Sequence, residues 1–300
     1  AFSLVVQAAT DGAHITKTIS QIERKKGIKR TIQYRPDGND FVCVNGKNRY
    51  TRALYGGITD FRIETSDRPV FAAYKPKDSK HICFRLQCGN QSIALDSLKF
   101  CEARYRAGRR TYRLTDPLLG KGELNISVLA FPDAEGGIWR FTMKDMPEGA
   151  LLHCYISEIR AKNLSRNGDM GADRADSFDA PQLPKEQKHY KLSLDGTTAY
   201  IVVEDQELRL PALVEGTSLY DKSEKWRSEI ESSLQISTPD PYFNPLGGAL
   251  AAAADGIWDG KIWLHGAIGW RSQLNGWRAA YIGDFIGWHD RARTHFDSYA

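Results

Sequence analysis

From about residue 14 to residue 215, apolar side chains recur at every second position in short runs, and almost nothing recurs at the 3.6-residue period of a helix. That pattern confines the chain to strands turning one face to a core, because successive strand side chains point to opposite sides. Pro36-Asp37-Gly38-Asn39 and Asn45-Gly46 bracket residues 41–44 and supply the small residues that tight turns demand. Ile82, Phe84 and Leu86 alternate with Cys83, Arg85 and Gln87, and Ile126, Val128 and Ala130 alternate with Ser127, Leu129 and Phe131. Residues 138–143, 151–159 and 199–204 read as further strands, and about ten strands over this span pack most naturally as a large antiparallel β-sandwich over residues 13–215.

The texture then changes. Residues 216–237 read as a connector helix: Asp221 is placed to cap it, and Trp226, Ile230 and Leu234 recur at four-residue steps among Lys222, Glu224, Lys225, Glu229 and Glu231. Thr238-Pro239-Asp240-Pro241 is a helix-start signal, followed by an alanine-rich run over 246–254 that ends at Asp255-Gly256. The run is apolar all round, so it needs protein on every side. Asp259-Gly260 turns a small hairpin between Ile257-Trp258 and Ile262-Trp263-Leu264. Asp284 then caps a helix with Phe285, Trp288, Ala292, Phe296 and Tyr299 on one stripe. So few helices cannot bury these surfaces, and residues 238–300 are expected to be the truncated start of a second domain.

Residues 1–12 read as the tail of an export segment, with Val6-Gln7-Ala8 as a small-x-small cleavage site, which puts the protein in the periplasm or outside the cell. No apolar run is long enough to span a bilayer, in line with a mean hydropathy of -0.46. Residues 17–35 and 99–113 are strongly basic, leaving the remainder net acidic; their alternation with Ile28, Ile32, Phe100, Tyr105 and Tyr112 is that of a solvated strand face. Five cysteines form neither a zinc motif nor a disulfide framework, although one oxidised pair is compatible with export. The polar loop 163–187 carries Asp169, Asp173, Asp176 and Asp179, possible oxygen ligands for calcium at spacings unlike an EF-hand.

Five of the seven tryptophans, Trp258, Trp263, Trp270, Trp277 and Trp288, fall in one segment with Arg271, Arg278, Asp284, His289, Asp290 and Arg291. Aromatic faces stack on the C–H faces of sugars, and planar donors and carboxylates grip hydroxyls, so the mixture points to carbohydrate. The candidate substrate-binding residues are Trp270, Arg271, Trp277, Arg278, Asp284, His289 and Asp290. Against this stand plainer roles: tryptophans that wall a helical core, Trp-Arg pairs that stack without a ligand, and Asp284 as a cap alone. Over residues 238–300 acids slightly outnumber bases, which disfavours phosphate, so no nucleic-acid partner is expected. His265, His289 and His295 are too scattered for a metal site, and neither metal nor cofactor is expected.

The 238–244 stretch Thr238-Pro239-Asp240-Pro241-Tyr242-Phe243-Asn244, the alanine-rich run, the Asp255 to Lys261 turn and the stretch from Gly276-Trp277-Arg278 to Asp290-Arg291 together resemble the opening of an (α/α)6 toroid. The resemblance is to the six-hairpin glycosidase superfamily, particularly large exported bacterial proteins with a β-sandwich ahead of the toroid, many classed only as a domain of unknown function. It implies hydrolysis of an oligo- or polysaccharide, commonly with inversion, by a carboxylic acid that protonates the leaving oxygen and a carboxylate that activates water. Residues 238–300 contain no glutamate, so the catalytic pair is left unassigned and expected mostly outside this fragment. Asp284 and Asp290 are the carboxylates to test there. Gly276-Trp277 and Gly283-Asp284 are similar to elements of the α-L-rhamnosidase toroid, but the acids flanking those elements are absent and that activity does not transfer. The alternatives are a polysaccharide lyase, with Tyr281 or His289 as base and Arg278 facing a uronate, and a non-catalytic glycan-binding protein.

Overall fold

The computed structural model describes residues 4–7, 33–161, 164, 174–266, 272–273 and 281–299, the first four as backbone only. One sheet contains β2 (Arg35–Asp37), β3 (Asp40–Val44), β9 (Phe100–Arg106) and β10 (Arg109–Thr115). It continues through β11 (Glu123–Ala130), β12 (Gly136–Lys144), β15 (Thr198–Glu204) and β16 (Glu207–Arg209). These eight strands run in the order β16-β15-β12-β11-β10-β9-β3-β2 and pair antiparallel throughout. The second sheet has seven strands. They are β4 (Arg52–Tyr55), β5 (Arg62–Thr65), β6 (Val70–Tyr74), β7 (Lys80–Cys88), β8 (Gln91–Ala94), β13 (Leu151–Glu158) and β14 (Gln187–Ser193), in the order β14-β13-β7-β6-β5-β4 with β8 added to β7.

The two sheets share one core, in the manner of a sandwich. Ile82, Phe84 and Leu86 of β7 and Ile126 and Val128 of β11 all point into it, as their alternation requires. Phe71 of β6 meets Tyr112 of β10 and Trp139 of β12 edge-on, with centroids 5.7 and 5.6 Å apart, and Phe84 meets Phe141 at 5.5 Å. Edge-to-face contacts of this kind add to the burial of large rings. The strands expected at 41–44, 138–143, 151–159 and 199–204 all form, with ends within two residues of expectation. Edge strands of three or four residues, such as β2, β8 and β16, are too short to show a period and raise the strand number above the expected ten or so.

One arginine of the basic stretch 99–113 breaks the solvated-face expectation. Arg110 is fully buried, and its guanidinium donates to the Ser66 carbonyl at 2.9 Å and to the Tyr34 hydroxyl at 2.8 Å. Asp67 lies 3.8 Å away and also accepts from the Asn48 amide at 2.9 Å and the Thr51 hydroxyl at 3.2 Å. The charge is inside because carbonyl, hydroxyl and carboxylate partners are all present to receive it.

The connector helix, α1 (Leu213–Ser232), starts three residues before the expected boundary and lies on the outer face of the eight-stranded sheet. Its buried face toward the sheet is Gly216, Tyr220, Ser223 and Arg227, a largely polar stripe, while Ile230 and Leu234 of the expected apolar stripe pack with Ala251 and Ile286 instead. Gly216 is required: a β-carbon there would sit 2.4 Å from the Tyr200 ring. Tyr220 shares a hydrogen bond of 2.7 Å with Ser127 of β11, and Arg227 donates to Ala107 O, Glu224 and Glu231. Arg109 and Arg106 reach the same two glutamates from the sheet, at 2.8 and 2.7 Å. Burial raises the Glu231 carboxyl and the two arginines more than offset that, holding it below the usual range.

Residues 4–7 form a strand, β1 (Leu4–Gln7), parallel to β17 (Leu234–Ser237). The apolar run expected to be an export tail is therefore paired within the fold, and Leu234 belongs to a strand rather than to the helix. Thr238-Pro239-Asp240-Pro241 makes a turn instead of starting a helix: the Asn244 side chain accepts from the Thr238 amide at 2.7 Å, and Asp240 accepts from the Tyr242 amide at 2.9 Å. The alanine-rich helix follows as α2 (Leu246–Gly256), and α3 (His289–Asp297) begins five residues after Asp284 with no side-chain cap. Among the described residues no helix is long and apolar enough to cross a membrane.

Local contacts bear on two smaller expectations. Asp169 and Asp173 lie outside the described residues, while Asp176 pairs with Arg160 and Arg174, and Asp179 accepts from the Tyr50 hydroxyl at 2.8 Å. All five cysteines are free thiols. On the outer face of the seven-stranded sheet, His153 Nε2–H donates to Gln87 at 2.6 Å, and His153 Nδ1 accepts from His189 Nε2–H at 2.8 Å. Burial first, and His189 second, lower the His153 pKa.

Candidate functional site

The aromatic segment after residue 256 is positioned by α2. Alanines and glycines let this helix lie close to its neighbours; at Gly256 an added β-carbon would sit 2.9 Å from the Tyr55 ring of β4. Asp255, one residue earlier, is thereby carried to the buried end of α2. The Asp259 carboxylate accepts from the Lys261 and Ile262 amides at 2.9 and 2.7 Å, closing the expected turn, and Trp258 and Trp263 pair across it as a single bridge.

Arg291, in the first turn of α3, donates from Nη1 to Asp255 Oδ1 at 2.6 Å. Its guanidinium carbon lies 4.4 Å from the Trp288 ring centroid and 5.6 Å from that of Trp258. Burial raises the Asp255 carboxyl, and Arg291 opposes the shift without cancelling it. A buried carboxylate with one cation and two aromatic faces around that cation is a water-poor site whose ionised state is costly.

Behind this pair the tryptophans form a core. Trp263 is fully buried, its indole N–H donates to Ala254 O at 3.1 Å, and its backbone N–H donates to His295 Nδ1 at 2.9 Å. His295, also fully buried, therefore holds Nδ1 as an acceptor. The Trp258 and Trp263 rings are tilted at 56° with centroids 4.7 Å apart. For Trp263 the wall-of-the-core role is the observed one. Trp258 and Trp288 are half-buried and keep part of their faces open.

Of the residues expected to contact substrate, Trp270, Arg271, Trp277 and Arg278 lie outside the described residues. The other three separate into a pair and a single. His289 Nδ1 and Asp284 Oδ1 are 3.0 Å apart, with side chains 65% and 57% exposed. In that contact Nδ1–H donates to the carboxylate, which leaves the Nε2 lone pair of a neutral ring facing outward. Asp290 is 96% exposed and its nearest cation, Arg293, is 3.6 Å away. Among the described residues no group of three or more His, Cys, Asp and Glu side chains is placed to hold a metal ion.

Sequence reasoning overlooked Asp255. It reads as the polar stop of an apolar helix, and the only signal for more was an acid closing a run that must be enclosed by protein. Arg291 was visible as part of the aromatic and charged mixture, though not as the partner of Asp255, because thirty-six positions separate the two. The stripe expected on α3 is also redistributed: Ala292 and His295 are its buried residues, while Phe285, Phe296 and Tyr299 are exposed.

Comparison with known proteins bears on the sheets rather than on this cluster. Residues 76–204, from the turn before β7 to the end of β15, match the family described as domain of unknown function DUF4450. No curated protein matches the chain. The matched stretch contributes strands to both sheets and stops short of α1, so the likeness is to part of the β region alone.

Proposed function

We propose that this chain belongs to a carbohydrate-active enzyme, a glycoside hydrolase acting on a complex polysaccharide, in which residues 238–300 open an (α/α)6 toroid. The observation that carries the reading is Arg291, braced by the rings of Trp288 and Trp258 while it pairs with buried Asp255. Sugar recognition needs ring faces and planar donors fixed relative to one another, and a cation wedged between two indoles supplies both in one rigid unit. Asp284, His289 and Asp290 would contact substrate from the exposed side, with Trp270, Arg271, Trp277 and Arg278. Asp255, its carboxyl raised by burial, has the character of a general acid, whereas the base that activates water is not assigned. A polymeric substrate does not cross a membrane intact, so the reading entails a periplasmic or secreted protein.

The Asp284 and His289 pair favours a second reading. A histidine whose Nδ1–H is held by a carboxylate presents Nε2 as a base, the group a polysaccharide lyase needs to take the proton beside a uronate carboxylate. Incubation with neutral and uronate-rich polysaccharides separates the two. New reducing ends without ultraviolet absorbance by an unsaturated product support the hydrolase; reducing ends with that absorbance support the lyase. No new reducing ends on any polymer overturns the enzymatic reading and leaves glycan binding.

A further inference from the structure

α1 covers only part of the outer face of the eight-stranded sheet. Beside the helix, strands β9 to β12 leave a groove of about 330 Å3, at the lower end of small-molecule sites. One cross-strand row of its floor joins Thr111, Ser127 and Arg140, and the next joins Arg113, Asn125 and Thr142. The Thr111 and Thr142 hydroxyls make no hydrogen bond among the described residues, so the floor offers free donors and acceptors.

Three of the four arginines lining this groove already have carboxylates. Arg104 is matched by Glu102, Asp37 and Asp40, Arg113 by Glu102 and Glu123, and Arg109 by Glu224. Arg140 is different. Among the described residues no carboxylate pairs with it, and its guanidinium lies on the Tyr220 ring, 3.8 Å from the centroid; its buried Nε, like that of Arg109, has no hydrogen-bond partner. Arginine stays charged at any ordinary pH, so a partly desolvated guanidinium held flat without an anion is a site waiting for one.

The charge balance sets the kind of anion. A single unmatched cation among paired ones suits a monoanion, and the neighbouring Glu102, Glu123 and Glu224 would repel a polyphosphate backbone. A planar guanidinium beside free hydroxyls suits a carboxylate carried on a hydroxylated ring. We propose that this groove binds an acidic sugar residue, with Arg140 holding its carboxylate and Thr111, Asn125 and Thr142 receiving its hydroxyls. The proposal rests on the carbohydrate reading above and assigns the β region a uronate-recognising surface separate from the tryptophan cluster.

The test compares retention of the full 300-residue chain by polygalacturonate and by its carboxyl-reduced, neutral form in affinity electrophoresis, with inorganic phosphate as competitor. Wild type is expected to bind the acidic polymer at least about tenfold more tightly than the neutral one. Arg140→Ala should abolish that preference. Thr142→Tyr should do the same by filling the groove from an exposed position, which keeps the result interpretable if loss of the Tyr220 stack perturbs folding. An acid preference that survives both substitutions, a preference that never appears, or displacement by phosphate as effective as by free galacturonate each overturns the proposal. Retention by the neutral polymer reports on the carbohydrate reading alone, so a wild type that binds the acidic and neutral polymers equally sinks this inference and spares the other.

Discussion

Replacing Arg227 with methionine tests how α1 is attached. The side chain is nearly enclosed, and its guanidinium gives hydrogen bonds of 2.8 to 3.2 Å to Glu224, Glu231 and the Ala107 carbonyl. Breaking a buried pair by removing one partner typically costs about 3–5 kcal/mol, because the remaining charge is stranded. Here Glu224 keeps Arg109 and Glu231 keeps Arg106, both partly exposed, so the stranding is incomplete. Methionine also preserves much of the apolar stem. The expected loss is therefore about 2–3 kcal/mol, a fall of roughly 1 M in the urea midpoint at ordinary slopes. Urea unfolding followed by tryptophan fluorescence and far-ultraviolet circular dichroism reads it. In a Glu224→Gln, Glu231→Gln background the same substitution should cost much less, since no carboxylate is then stranded. Equal costs in both backgrounds, or a loss below about 0.5 kcal/mol in the first, would refute the reasoning that α1 is seated by its charged stripe.

Gly216→Ala should destabilise by about 1–3 kcal/mol, because its β-carbon would overlap the Tyr200 ring; an unchanged thermal midpoint contradicts that. Asp255 has a folded carboxyl raised above its unfolded value, so its contribution is fully present below the ordinary aspartate range and declines as pH rises through the raised value. Accordingly, the stability of wild type relative to Asp255→Asn should fall with rising pH across the mildly acid range, and a difference that grows there would be the wrong sign. The His153 ring should titrate below the ordinary histidine value in an NMR pH series, and Gln87→Leu should disturb its resonances more than those of His81.

The β region was legible because its strands bury one face. Ile82, Phe84 and Leu86 had to point together, and turn residues at Gly38 and Asn45 marked where chains reverse. The helix was legible in position but not in orientation. Ile230 finds apolar neighbours on the alanine-rich helix, yet sheet residues Arg106, Arg109 and Arg140 offered partners for a polar stripe, and those partners lie about eighty positions or more away from their mates in sequence. Separation in sequence also hid Arg110: a strand arginine reads as exposed until Ser66, Asp67 and Tyr34 are brought to it. In the candidate site, composition singled out the segment that contains Arg291, but it favoured Asp284 and Asp290 and passed over Asp255. Only the fold distinguishes a carboxylate enclosed beneath a guanidinium from one standing in water.

The carbohydrate reading depends on the aromatic and arginine-rich segment holding a saccharide. Affinity electrophoresis in neutral polysaccharides, comparing wild type with Trp277→Ala, Arg278→Ala and Trp226→Ala, tests it most directly. The account predicts that the first two variants lose retention while Trp226→Ala, on the connector helix, keeps it. Equal retention by all three variants and wild type would contradict it.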